Sequence, residues 1–174
     1  MGQVGTDDGF EAWYRQEHPR LAAALTVMSG DAELAHDVVS EAFARALEHW
    51  DRVSVMESPT GWVRQVAVNL LRRNHRRAAL ERRLLGRRRA RSDEAPSQAV
   101  DPDLWKAVMA LPPRQRAVLG LRLVLDLSQA DTARLLGIRS GTVSATLVEA
   151  RRTVTHALSN EESTTASISE VADG

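Results

Sequence analysis

Apolar residues recur every three or four positions along most of this chain, and no stretch alternates with the period of two that marks a strand. Phe10 to Met28 reads as a first helix, ended by Ser29-Gly30. Asp31 is placed to cap a second helix, with Leu34, Val38, Phe43 and Leu47 as its apolar face to about Trp50. Residues 51–60 read as a loop, and a third helix begins near Thr60, runs to about Leu85 and is stopped by Gly86. After a polar stretch come helices over Asp103–Ala110 and Arg114–Leu125, separated by "LPP". Two more follow, at about Ser128–Leu136 and Ser140–Leu158. The pattern predicts an all-α protein.

Composition divides those helices into units. Residues 86–101 are polar, contain Pro96 and lack apolar periodicity, which predicts a flexible linker between two small helical domains at 9–85 and 102–158. The acidic first eight residues and the acidic, Ser- and Thr-rich stretch 159–174 are expected to be disordered. The longest apolar runs are too short to span a bilayer and the N-terminus has no signal-peptide core, so no membrane insertion is expected. The chain has no cysteine, which excludes disulfides and thiolate chemistry and suits a reducing cytoplasm.

Formal charge sums to zero but is strongly segregated. Residues 1–63 carry 4 basic and 11 acidic side chains, residues 64–91 carry 11 and 1, and residues 92–174 carry 8 and 11. A field so polarised suggests two partners of different charge. On a helical wheel of residues 60–76, Trp62, Val63, Val66, Ala67, Leu70 and Leu71 fill one half. Gln65, Asn69, Arg72 and Arg76 form a stripe opposite, with Arg73 and Arg77 near its edge. Amides and guanidiniums bond base edges and phosphates, and so many cations with Glu81 as the one acid nearby would repel one another on a merely solvated face.

The stretch "SQADTARLLGIRSGTVSATLVEARR" (128–152) reads as a helix–turn–helix. Ser128 caps a short helix with Ala130, Ala133 and Leu136 inward, Gly137 supplies a positive-φ turn, and Ile138 anchors it. Ser140 is placed to cap the next helix, where Val143, Leu147, Ala150 and Val154 make the buried stripe. Thr142, Ser144, Ala145, Thr146 and Val148 then face outward, towards a major groove. No nucleophile elbow, P-loop, GxGxxG or metal-ligand spacing is present, so neither enzymatic activity nor a cofactor, metal or small-molecule substrate is expected. The five histidines are scattered, and the four tryptophans sit at apolar helix positions.

In order, "DAELAHDVVSEAFARALEHW", "GWVRQVAVNLLRR" and "LPPRQRAVLGLRLVLDLSQADTARLLGIRSGTV" resemble the extracytoplasmic-function group of sigma factors of bacterial RNA polymerase, within the sigma-70 family. The resemblance spans roughly residues 10–158. It implies a protein that binds core polymerase through its clamp and flap surfaces, directs it to promoter DNA and helps melt the duplex. It places the polymerase-clamp contact on Asp37, Ser40, Glu41, Phe43 and Leu47. It places reading of the −10 element on Gln65, Asn69, Arg72, Arg73 and Arg76, and of the −35 element on Arg139, Ser140, Thr142, Val143, Ser144 and Thr146. Arg114 and Arg116 match positions near the DNA and flap surfaces. An anti-sigma factor lodged between the domains is also admitted. Where family recognition helices carry basic residues, this one has Ser144, Thr146 and Glu149, which predicts fewer phosphate contacts and recognition that leans either on the −10 helix or on apolar Ala145 and Val148 against thymine methyls. Two other readings stay open on the residues alone. One is a stand-alone helix–turn–helix regulator, and the other an RNA-binding scaffold using the arginine block.

Overall fold

A computed structural model describes residues 4–85 and 100–172, all helical or connecting, with no strand among the described residues. The expected stop at Gly86, the arginines 87–91 and most of the linker lie outside them. Four helices form the N-terminal unit: α1 (Val4–Ser29), α2 (Ala32–Glu48), the single turn α3 (Trp50–Val53) and α4 (Pro59–Leu85). The C-terminal unit comprises α5 (Pro102–Ala110), α6 (Pro113–Leu119), a π-helical turn (Gly120–Val124), α7 (Gln129–Leu136) and α8 (Ser140–Ala172). Among the described residues no helix is long and apolar enough to cross a membrane.

Local chemistry sets these boundaries. Gly30 takes a left-handed φ of 74° and its N–H donates to Thr26 O at 2.8 Å, which closes α1. Asp31 then caps α2 by accepting from Leu34 N at 2.9 Å. Ser58 Oγ accepts from Gly61 N at 3.0 Å to start α4. A Cβ at Gly61 would stand 2.7 Å from that hydroxyl oxygen, so the cap needs glycine there. Asp101 accepts from Asp103 N and Leu104 N, with Pro102 as the first residue of α5, where a missing N–H costs nothing.

Several elements differ from the periodicity. Residues 51–53, expected as loop, join Trp50 in the extra turn α3. Helix α1 begins at Val4, within the stretch where disorder was expected. Helix α8 continues to Ala172 rather than ending near Leu158, and no Gly or Pro lies between 159 and 172 to stop it. The helix expected over 114–125 widens after Leu119 into the π turn, where Leu125 N reaches back five residues to Gly120 O at 3.2 Å.

Each unit buries most of the stripe its sequence predicts, with Leu47 and Ala130 as exposed exceptions. In the N-terminal unit α1 contributes Leu21, Ala24, Leu25 and Met28, α2 contributes Ala35, Val38, Val39, Ala42 and Phe43, and α4 contributes Val63, Ala67, Leu70 and Leu71. An aromatic cluster closes one end, with Phe43 centred 4.9 Å from Trp13 and 5.0 Å from Tyr14, and Trp13 stacked 5.1 Å from Trp50. Trp13 Nε1 donates to Thr60 Oγ1 at 2.9 Å, tying that cluster to α4. In the C-terminal unit Val118, Ala133 and Val143 pack with Ile138 and Leu147. Thr132, Ala133 and Leu135 are the buried positions of α7, and Ala130 is exposed.

The linker is not the only connection between the units. Leu121, Leu125, Leu127 and Leu135 of the C-terminal unit join the same core as Leu21, Ala24, Leu25 and Met28 of α1. Fully burying a leucine contributes about 1.5–3 kcal/mol, so four at one seam are a substantial adhesive. Beside the seam lies an apolar groove of about 930 Å³ between α1, α2, α5, the π turn and α8, lined by residues including Val27, Leu104, Leu123 and Val154.

Candidate nucleic-acid and polymerase interfaces

Burying one face of α4 turns its polar stripe outward. Asn69, Arg73 and Arg76 are exposed, while Gln65 and Arg72 are half-buried. Gln65 Nε2 donates to Asn69 Oδ1 at 3.1 Å, one turn on, which aligns the two amides. Burial first, and the Arg76 charge second, lower the Arg72 pKa from its ordinary value, as expected of cations gathered without a matching anion. Arg77 pairs with Glu81 at 2.9 Å on the exposed surface.

The basic segment also contains a structural arginine. Arg64 donates to Glu17 Oε2 at 3.0 Å, with only 16% and 11% of the two side chains exposed, and so ties α4 to α1.

Helix α2 presents the opposite charge. Glu33, Asp37, Glu41 and Glu48 are exposed within about 80° of one another on its wheel, with Ser40 half-buried beside them and Leu47 exposed at 49%. Glu41 pairs with Arg45 at 2.5 Å. Phe43 is a correction to the expected clamp contacts. It is 1% exposed and enclosed by Trp13, Tyr14 and Phe10, because it sits one turn past Val39 on the buried stripe. The surface available to a protein partner is therefore Asp37, Ser40, Glu41 and Leu47.

The helix–turn–helix has the expected joint. Ser128 Oγ accepts from Asp131 N at 3.0 Å to start α7, Gly137 ends it at φ 65°, and Ile138 N donates to Ala133 O at 3.0 Å. Gln129 Nε2 donates to Ser140 O at 2.8 Å, which fixes α7 against the start of α8. Hydrogen bonding to Ser128 chiefly, and then the Arg134 and Arg64 charges, hold the Asp131 carboxyl below its ordinary pKa. Helix α8 starts one residue earlier than capping by Ser140 would give: the Arg139 carbonyl accepts from Thr142 N and Val143 N.

On α8 Arg139, Ser140 and Ser144 are exposed and Thr142 is half-buried. Val143 and Thr146 are corrections to the expected DNA-facing set, at 0% and 9% exposed. Thr146 lies three residues after Val143 and four before Ala150, so it falls on their stripe rather than opposite it. The outward face past the first turn is instead Ser144, Ala145, Val148 and Glu149, with Val148 68% exposed.

Arg116 is a further correction. It is 1% exposed, and its Nη1 donates to Met109 O at 3.0 Å and Leu111 O at 3.2 Å. It thus satisfies carbonyls left open at the end of α5 and is not a surface contact. Arg114 is exposed. Nothing in the spacing of "LPPRQR" distinguishes the two roles, because the difference depends on where α5 ends.

Comparison with known proteins matches both units. The profile "Sigma-70 region 2" covers residues 13–81, and "Sigma-70, region 4" covers residues 103–154. The chain is 29% identical over 140 residues to the RNA polymerase sigma-E factor of Streptomyces coelicolor, covering 79% of each chain. It is 27% identical over 160 residues to the ECF RNA polymerase sigma factor SigM of Mycobacterium tuberculosis, covering 85% of this chain and 76% of that protein. Its fold resembles that of the sigma factor RpoE from Bartonella quintana, solved in complex with the anti-sigma factor NepR, with a TM-score of 0.76 and 21% identity over 87% of this chain and 97% of that one. The chain belongs to the sigma-70 family, in its extracytoplasmic-function group.

Proposed function

We infer that this protein binds core RNA polymerase and directs it to promoters, leaving the chemistry of RNA synthesis to the polymerase and working in the cytoplasm. The observation that carries this reading is the pairing, in one chain and in order, of a region 2 unit with a region 4 unit. A stand-alone regulator or an arginine-rich scaffold leaves one of the two matches without a role.

The surfaces take roles consistent with their chemistry. The α2 face of Asp37, Ser40, Glu41 and Leu47 is assigned to a basic surface of the polymerase. Asn69, Arg73 and Arg76, flanked by Gln65 and Arg72, are assigned to the −10 element. Arg139, Ser140, Thr142 and Ser144 are assigned to the −35 element, with Ala145 and Val148 reading thymine methyls. An anti-sigma protein, such as the one bound to the Bartonella sigma factor, completes the set of partners.

Gel filtration of the protein with core polymerase tests the reading. Co-elution at equal stoichiometry, lost on charge reversal at Asp37 and Glu41, is expected. Failure of the intact protein to co-elute overturns it.

A further inference from the structure

The apolar groove beside the seam carries polar groups that the fold itself leaves unused. It holds about 930 Å³, a volume that encloses a small ligand. Ala23 and Val27 of α1 line one side, and Leu104, Leu123 and Val154 line the other. Trp105 of α5 lines it too. That residue is 4% exposed, yet its Nε1 is buried with no hydrogen-bond partner. A buried N–H without an acceptor is costly and uncommon in folded proteins.

The charge of the lining is one-sided. Arg151 and Thr155, one turn apart on α8, stand exposed in it, as does His36 of α2. No Asp or Glu is among the described residues that line it. Arg151 forms no ion pair with a described residue. These features select among occupants. An apolar helix of another protein would fill the volume, but its backbone carbonyls are bonded within the helix and its side chains offer Trp105 no acceptor. A neutral hydrocarbon leaves both Trp105 and Arg151 unanswered. A carboxylate has lone pairs for both donors, and a hydrocarbon tail takes the apolar walls out of water.

We propose that this groove binds a free fatty acid. Its carboxylate accepts from the Arg151 guanidinium and the Trp105 indole N–H, and its acyl chain lies against Val27, Leu123 and Val154. The walls come from both units, so a ligand seated here touches each of them. The proposal does not depend on the promoter-binding reading above.

Isothermal titration of the full chain with myristate, kept below its micelle threshold, tests this. Saturable one-to-one binding is expected, with a thermal midpoint that rises as myristate is added. Trp105→Phe keeps an aromatic ring and removes the N–H, and Arg151→Gln removes the charge. Each is expected to weaken myristate binding by about tenfold, and myristyl alcohol should bind the wild type more weakly by a similar factor. Ala23→Trp, at an exposed position in the lining, is expected to fill the groove and abolish binding. Arg151 and Ala23 are both exposed, so their variants should melt like the wild type and keep the test decisive if Trp105→Phe does not fold. No saturable binding, equal affinity for myristyl alcohol, or full binding by Ala23→Trp overturns the proposal. Vesicles of phosphatidylglycerol distinguish a free acid from a membrane surface: binding to vesicles but not to monomeric myristate overturns it as well. So does a dimer on gel filtration that Ala23→Trp converts to monomer, because a second copy would then be the occupant.

Discussion

Arg64 and Glu17 meet 3.0 Å apart, nearly enclosed, and join the first residue of the basic segment to the helix beneath it. Breaking such a pair from one side leaves a buried charge without its partner. Glu17→Gln is expected to destabilise the protein by about 2–4 kcal/mol in urea titrations, and replacing both residues by apolar ones by less. A loss in the double variant equal to the sum of the two single-variant losses would show that the pair is not coupled.

Arg116 and Arg114 are two residues apart and should behave oppositely. Arg116→Ala leaves the Met109 and Leu111 carbonyls without their guanidinium donor and is expected to cost about 2–4 kcal/mol. Arg114→Ala, at an exposed position, should change stability by less than about 0.5 kcal/mol. Paired thermal melts decide between this and the surface role that the sequence suggests for both.

Exposed Arg73 and Arg76 are expected to neutralise promoter phosphates. Arg73→Ala with Arg76→Ala should weaken the holoenzyme–promoter complex. It should also reduce the slope of log affinity against log salt by about 1–2, at roughly 0.7–0.9 per phosphate contact. Binding to core polymerase should be unchanged, as native gels can show.

On the recognition helix, Val148 and Thr146 should separate readout from packing. Val148→Ala is expected to remove most of the preference for thymine over uracil in the −35 element, a difference of about 1 kcal/mol for one methyl group. Thr146→Val, at a buried position, should leave promoter preference unchanged. A binding panel of methylated and unmethylated sites measures both.

The His18 ring is 9% exposed and centred 5.2 Å from that of His36. Burial chiefly, and the His36 charge secondarily, hold its pKa below the usual 6.5. The unfolded chain then binds the proton more readily, so this contribution to stability is complete above about pH 6.5 and is lost as pH falls through the folded-state value. The urea midpoint should therefore drop more between pH 7.5 and pH 5.5 in the wild type than in His18→Gln.

Much of the architecture is legible in the sequence because amphipathic stripes and caps are local. Asp31, Ser128 and Gly137 act where their residue types predict, and the polar stripe of α4 stands opposite its apolar face. Faces are harder to assign where two roles compete for one position. Phe43 and Val143 belong to apolar stripes and also fall within matched interface motifs, and packing decides for the stripe. Arg116 and Arg64 look like surface charges because their partners, the end of α5 and Glu17, are remote in the pattern or in sequence. The seam between units did leave a trace. From Ala117 to Leu127 the apolar residues cover nearly the whole circumference, more than one small unit needs to bury.

Run-off transcription with purified core polymerase on a panel of promoter templates tests the central claim most directly. A discrete transcript that requires this protein, and that weakens when Arg73 and Arg76 are replaced while polymerase binding persists, is the predicted result. Transcript levels that are the same with and without the protein on every template, despite a folded chain and active core enzyme, would contradict it.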